Sequence, residues 1–512
     1  MGAGRRGGTR ETLLLVMVAL SFVAVARAAV GGVVVDGGGG GGAGGEDGER
    51  FLRLRTGGGG EADDQEGVFK WDEEEDDDDD EEDQEEEGHI MMWGKGTGHP
   101  PTRRNVVNVD TFGAAGDGDA DDTEAFSNAW KTACSLENAV FLVPTGRRYK
   151  VGASTFMGPC KEKMVIQIQG TIVAPEEPSE WDPRSTRLWL LFSGLAGTRI
   201  QGGGVIDGSG SKWWANSCKI NKANAVTIDL SRGVRVKGLR VQNAQQMHLT
   251  VYRSRNVRLA GVRIDAPEDS PNTDGIHVAE STAVTIQNCR IGTGDDCISI
   301  VNASFNIRMK NIDCGPGHGI SIGSLGKDGT YAAVENVALD TARISRAQNG
   351  VRIKTWQGGA GYVRNVRFSN VAVDDVDHPI IIDQFYCDTQ SRPCSNQTSN
   401  VAVTNVAYRN ISGTSRRAEA IKFACSDSVP CTDIVLSDIN LCRSDGAGGG
   451  GGDVQTVCNC AIGFDYGCVR PAADCLRSST CGGGPEDRPD DDHHQGKAEA
   501  GTPPAAILHT EL

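Results

Sequence analysis

With 512 residues the chain holds far more than one small core requires, so length alone permits several domains. Its formal charge of −18 resides almost wholly in residues 1–100, which carry a net −15, while residues 101–512 carry −3. That near-neutral body has no basic block, which excludes nucleic acid as a partner.

The first residues read as a targeting segment rather than as fold. Arg5, Arg6 and Arg10 precede an apolar run from Leu13 to Val25, and Ala26-Arg27-Ala28 has the small-x-small form of a cleavage site. The run is 13 residues, short of the roughly 20 that span a bilayer. Residues 1–28 are therefore expected to be a secretory signal peptide, and the mature protein to be secreted, soluble and without a membrane partner. Residues 29–104 are expected to be disordered. They contain a glycine tract from Gly37 to Gly45, broken by Ala43, and an acidic run from Asp72 to Glu87 in which Gln84 alone is uncharged. Like charges repel there, and too little apolar surface is present to offset ordering entropy. The segment reads as a solvated spacer.

The texture changes near residue 105. "NVDTFGAAGDGDADDTEAFSNAWKTAC" begins as a strand and passes through a Gly/Asp turn. Asp122-Thr123 then opens an amphipathic helix with Ala125, Phe126, Ala129 and Trp130 on its apolar side. That helix is expected to cap the body C-terminal to it. Short alternating strands then recur: "GVRVKGLRV", "NVRLAGVRI", "AVTIQNCRI", "NIRMKNIDC", "NVALDTARI", "NVRFSNVAV" and "DIVLSDINL". The first five spacings are 23, 27, 23, 30 and 29 residues, and the last is 68, with room for a further turn at "NVAYRNI". Strands at this period with few helices indicate a solenoid. The leucine/asparagine pattern of leucine-rich repeats is missing, and the Asn-Gly hairpin turns of a β-sandwich are scarce. The expected fold is all-β: a single right-handed parallel β-helix over residues 105–481, followed by a disordered tail over 482–512.

Four motifs on successive coils carry chemistry. Asn272 and Asp274 are two apart, which on a strand puts both on one side. "GTGDDC" supplies Asp295 and Asp296, and two adjacent acids need a bend that Gly292 and Gly294 permit. "CGPGHGISIG" sets His318 between glycines, where a ligand approaches closely. "VRIKTW" gives Arg352 and Lys354 at i and i+2. Stacked coils would place acids in the middle with cations beside them. That combination suits an acidic sugar polymer, with carboxylates at the glycosidic bond and cations on a substrate carboxylate. Crowding three acids should raise at least one pKa and leave a protonated acid for donation. "SPNTDG" places its glycine as a calcium loop would, but the required acids at the first and twelfth positions are Ser270 and Ser281. No metal or other cofactor is expected.

"NTDGIHV", "GTGDDCISI", "CGPGHGISIGSLG" and "RIKTW" together resemble the four signature motifs of the polygalacturonases, a family of pectin-degrading glycoside hydrolases. "FGAAGDG" and "GGGVIDGSGSKWW" resemble that family's N-terminal pattern in its plant form. The resemblance spans roughly residues 105–480 and leaves out the acidic run and a glycine insert, Gly446 to Gly452. It implies inverting hydrolysis of α-1,4-linked galacturonan in the cell wall, without metal. It implies that Asp295 is the general acid, that Asp274 and Asp296 activate water, and that His318 tunes the acid. It assigns sugar binding to Asn272, Arg352 and Lys354, and to Tyr386 in "IIIDQFYCD". It also implies a Cys297–Cys314 disulfide.

All sixteen cysteines lie from Cys134 onward, which fits disulfides in a secreted body. Spacing suggests Cys134–Cys160, Cys387–Cys394 and Cys425–Cys431 as further pairs. The C-terminal cysteines form no paired CxxC framework for zinc. Asn302, Asn396 and Asn410 head glycosylation triplets. A monomer is expected, since no heptad or exposed apolar stripe is present. The alternative functions are hydrolysis of another pectin (rhamnogalacturonan or substituted galacturonan), a lyase on the same architecture, and a non-catalytic wall-binding protein. The paired cations favour a free substrate carboxylate, the acid-plus-base set favours hydrolysis, and a pure binder gains nothing from crowded acids.

Overall fold

A computed structural model describes residues 104–181, 188–215, 223–388, 394–444, 453–477 and 481. The expected signal peptide, the acidic spacer, the glycine insert and the C-terminal tail lie outside these residues.

Two parallel sheets organise the described body. The sheet that bears the site has eleven strands: β1 (Ser154–Met157), β2 (Leu188–Ser193), β3 (Asn224–Asp229), β4 (Leu249–Tyr252), β5 (Ile276–Ala279), β6 (Ile298–Ile300), β7 (Ile320–Leu325), β8 (Asn349–Trp356), β9 (His378–Tyr386), β10 (Glu419–Ala424) and β11 (Gln455–Asn459). Each pairs with the next in parallel, so each coil adds one strand. The remaining strands form a nineteen-stranded sheet, also parallel, which includes long bent strands such as Thr282–Gly292 and Ala360–Val376. Parallel crossovers within one sheet are right-handed almost without exception. The fold is a right-handed parallel β-helix.

Sequence dictates this through short triplets. Ile276-His277-Val278, Ile298-Ser299-Ile300, Ile320-Ser321-Ile322 and Val351-Arg352-Ile353 align in register, and their outer residues are buried in one continuous core. β-Branched residues fit this pleated stacking. The corners explain the many asparagines. In the larger sheet, left-handed residues recur five apart on every coil: Gly233 and Gly238, Asn256 and Gly261, Ala283 and Asn288, Asn306 and Asn311, Asn365 and Asn370, Asn405 and Asn410. Asparagine tolerates that conformation better than other side chains. It also stacks its amide onto the same corner of the neighbouring coil. Asn405 Nδ2 donates to Asn365 Oδ1 at 2.8 Å, and Asn311 Nδ2 to Asn288 Oδ1 at 2.8 Å.

Helix α1 (Thr123–Cys134) packs on the strands Asn105–Asn108, Ala139–Val143 and β1. Ala125, Phe126, Ala129, Trp130 and Ala133 are buried, and Trp130 meets Phe141 and Phe156 edge-on at 5.7 and 5.2 Å. Burying such a ring contributes roughly 1.5–3 kcal/mol. The helix opens at Asp122-Thr123 as expected, with Asp122 as its N-cap residue. The Asp122 carboxylate does not cap the helix; it accepts hydrogen bonds from Ala115 N and Gly116 N and so ties down the preceding Gly/Asp turn. Among the described residues no helix is long and apolar enough to cross a membrane.

Candidate active site

The central residues of the aligned triplets form one outward row: His277, Ser299, Ser321, Arg352, Ile381 and Lys422. This row is the floor of the site. The acids rise from the turns that enter β5 and β6, and His318 from the turn that enters β7. Arg352 and Lys354 lie within β8, and Tyr386 ends β9.

The turns differ from the strand geometry expected for Asn272 and Asp274. Neither residue is in a strand: Asn272 adopts a left-handed conformation, φ 53°, and Asp274 precedes β5. Alternation along a strand is therefore not why they meet. Asn272 Nδ2 donates to Asp295 Oδ2 at 3.2 Å, whereas Asp274 Oδ2 accepts from Ser299 Oγ at 2.6 Å. The expected bend at Asp295-Asp296 is present between strands. Its glycine acts by close approach, because a Cβ on Gly294 would overlap the Ser270 carbonyl. Gly317 (φ 152°) likewise lets its coil settle against Asp295, whose carbonyl accepts from His318 N at 2.8 Å.

Two ion pairs dominate the electrostatics. His318 Nδ1 lies 3.0 Å from Asp295 Oδ1, which also accepts from Asp296 N at 2.8 Å. Asp296 Oδ1 accepts from Arg352 Nη2 at 2.8 Å and Ser321 Oγ at 2.7 Å, and its Oδ2 accepts from Lys354 Nζ at 3.0 Å. Burial alone would push Asp295 up. The hydrogen bond and charge of His318, with the charge of Lys354, outweigh it and hold the carboxyl well below its ordinary range. Burial likewise opposes ionisation of Asp296, and Lys354 and Arg352 hold it low. His318 is held above the ordinary imidazole value by Asp295, against burial. Asp274 goes the other way: burial first, then the charge of Asp295, raise it.

The raised carboxyl is Asp274, through burial first and the charge of Asp295 second, and not the expected acid Asp295. Asp295 is instead lowered by its pairing with His318 at 3.0 Å. Three carboxyl groups, Asp274, Asp295 and Asp296, thus sit with three basic side chains, His318, Arg352 and Lys354. Donor atoms of Asp295, Asp296 and His318 lie within 4.8 Å of one another. A metal ion there would have to displace Arg352 and Lys354 from Asp296.

Tyr386 stands at the rim with its ring 5.1 Å from Lys354 Nζ and edge-on to Trp356 at 5.5 Å. Lys327 Nζ covers the Trp356 ring at 4.8 Å and pairs with Asp388 at 3.0 Å. Sequence reasoning missed Ser299, Ser321 and His277. Their signal was the shared middle position of the triplets, where a polar residue sits between two buried ones.

Cys297–Cys314, Cys134–Cys160, Cys387–Cys394 and Cys425–Cys431 are all bonded as expected. Cys458–Cys475 and Cys460–Cys481 are two further bridges. Asn396 is exposed outside any strand. Asn302 is exposed but its Oδ1 accepts from Ala333 N, and Ser304 of its triplet is buried. Asn410 donates along the asparagine ladder to Asn370 at 2.8 Å.

The family model described as glycosyl hydrolases family 28 matches residues 134–460. A probable polygalacturonase of Arabidopsis thaliana is 45% identical over 388 residues, covering 74% of this chain and 86% of its own length. Polygalacturonase-2 of Solanum lycopersicum is 46% identical over 349 residues, 67% of this chain and 76% of its own. Among solved structures, an exopolygalacturonase from Thermotoga maritima aligns with a TM-score of 0.56 at 20% identity, over 70% of this chain and 93% of that one. An endo-xylogalacturonan hydrolase from Aspergillus tubingensis aligns with a TM-score of 0.57 at 23% identity, over 71% and 99%. These two likenesses concern the fold, whereas the family model spans more than half the chain and all four motif coils: the chain belongs to glycosyl hydrolases family 28.

Proposed function

We propose that the chain is a polygalacturonase: it hydrolyses α-1,4 linkages of unesterified galacturonan in the plant cell wall, with inversion at the anomeric carbon. The observation that carries this reading is a buried cation pair, Arg352 and Lys354, held beside the three carboxyl groups of Asp274, Asp295 and Asp296. A galacturonate carboxylate can accept charge-assisted hydrogen bonds from these cations, and a neutral sugar offers them no anion. Asn272, Arg352, Lys354 and Tyr386 position the sugar at the cleavage point.

In this mechanism the His318–Asp295 pair holds one proton, and Asp295 delivers it to the glycosidic oxygen as that bond breaks. The pair titrates as a unit, so the low pKa of Asp295 reflects where the proton rests, not whether one is present. Water attacks from the opposite face between the sugar and Asp274/Asp296, leaving one new reducing end. Asp274 is the stronger base of the two, because its raised pKa gives it more affinity for the proton of water. Asp296 is already neutralised by two cations and chiefly holds them in place. The enzyme works outside the cell, on a polysaccharide partner.

The test uses secreted protein and polygalacturonate, with reducing ends and ultraviolet absorbance followed together. Wild type should release reducing ends without absorbance, and Asp295→Asn should lose about 10²–10⁴-fold of that rate. Absorbance from an unsaturated product would identify a lyase and overturn these roles.

A further inference from the structure

Among the described residues, Asp274 alone of the three site carboxyl groups keeps one oxygen out of the protein's hydrogen bonds. Asp296 uses both of its oxygens, on Arg352, Ser321 and Lys354. Asp295 also uses both, with His318 Nδ1 and Asp296 N on Oδ1 and Asn272 Nδ2 on Oδ2. Asp274 Oδ2 accepts from Ser299 Oγ at 2.6 Å, and among the described residues no hydrogen bond reaches its Oδ1.

A serine hydroxyl has one proton to donate. Ser299 gives it to Asp274, so the 2.7 Å contact with His277 Nδ1 runs the other way, with the imidazole donating to Ser299 Oγ. His277 Nδ1 itself lies 3.8 Å from Asp274 Oδ2, too far for a hydrogen bond of its own. The following coil repeats the pattern. Ser321, next on the same row, donates to Asp296 at 2.7 Å and accepts from Arg352 Nε at 3.0 Å. In both coils a basic side chain orients a buried serine, and the serine holds a carboxylate. The backbone of Asp274 is fixed separately. His248 Nδ1 donates to its carbonyl at 3.1 Å while His248 Nε2 accepts from Ala244 N at 3.3 Å, and burial pushes this neutral imidazole down to about 4. The charged groups that face the Asp274 carboxyl are Asp295 and Asp296 from the following coil and His277 from its own strand.

We propose that Ser299 is a positioning residue for the attacking water: it commits Oδ2 of Asp274 to the protein and leaves Oδ1 as the oxygen that takes the water's proton. The inference rests on Asp274 acting as a base in the cleavage proposed above. A hydroxyl that donates to a carboxylate favours the ionised form. The same bond therefore keeps Asp274 able to accept a proton, while burial and Asp295 oppose its ionisation. A carboxyl held at one oxygen also presents the other in a fixed direction, and fixed orientation of a reacting group raises rate.

The experiment measures kcat/KM against pH on polygalacturonate, read as reducing ends, for full-length wild type, Ser299→Ala and Ser299→Thr. Alanine removes the donor, so the acid limb should move up by about one pH unit and the rate at the optimum should fall about tenfold. The alkaline limb, which belongs to His318, should stay. Threonine keeps the hydroxyl and fits the row, where Thr227 and Thr250 stand on earlier coils. Ser299→Thr should therefore return the acid limb to its wild-type place. An acid limb unmoved in Ser299→Ala, or moved equally in Ser299→Thr, overturns the proposal. Difference infrared titration of the Asp274 carboxylate, with Asp274→Asn subtracted, reads the same bond without turnover. If wild type releases no reducing ends, or an unsaturated product, the cleavage reading fails. An infrared midpoint raised in Ser299→Ala but not in Ser299→Thr then still assigns Ser299 to holding Asp274, and equal midpoints overturn that too.

Discussion

Replacing Asp296 by Asn should damage the fold as much as turnover. The carboxylate is 2% exposed, and its partners Arg352 and Lys354 are 2% and 6% exposed. Both carboxylate oxygens are in use, at 2.8 Å from Arg352 and 3.0 Å from Lys354. An amide of the same shape keeps the volume but strands two buried cations beside a neutral group. Removing one partner of a buried ion pair costs about 3–5 kcal/mol, a large share of the roughly 5–15 kcal/mol that holds a domain folded. Equilibrium urea unfolding with disulfides intact should show that loss as a lower midpoint at unchanged slope. Adding Lys354→Met removes one stranded cation and should recover about 1–3 kcal/mol, with no recovery of kcat. A loss below about 1 kcal/mol would refute the argument, because it would mean that water already reaches and solvates these charges.

Activity should be bell-shaped in pH. Asp274 must be ionised to accept a proton, so kcat/KM rises through its raised pKa, and it falls as pH passes the raised pKa of His318 and the pair loses its proton. His318→Gln should move the alkaline limb to lower pH while leaving a folded chain; an unmoved limb would remove His318 from the acid. The same pair has a stability window. The lowered Asp295 contributes in full above the ordinary carboxylate value of 3.8 and loses this as pH falls through its folded value; the raised His318 contributes in full below 6.5 and loses this as pH rises through its own. Mutating Cys297 and Cys314 together to Ala opens a loop with a separation of 17 residues and should lower unfolding free energy by about 3 kcal/mol; a change near zero would mean that the neighbouring coils alone fix these turns.

Much of this protein is legible in its sequence. The coil period and the buried triplets specify a parallel solenoid, since a short β-branched run can bury its face only by stacking on a copy of itself. Adjacent acids between glycines, a histidine between glycines and a cation pair two apart name the candidate reacting groups. The asparagines are visible too, but their left-handed corner role is not, because φ is not written in composition. Three things only the tertiary structure decided. Stacking aimed Arg352 and Lys354 at Asp296, through contacts between residues more than fifty apart in sequence. Burial and neighbouring charge made Asp274 the raised carboxyl, lowered Asp295 and raised His318, because pKa depends on what surrounds a group, not on its spacing. Register brought Ser299 onto the carboxylate of Asp274, 25 residues before it in the chain. A residue's place along a coil is local, but its neighbour on the next coil is fixed only when the whole helix closes.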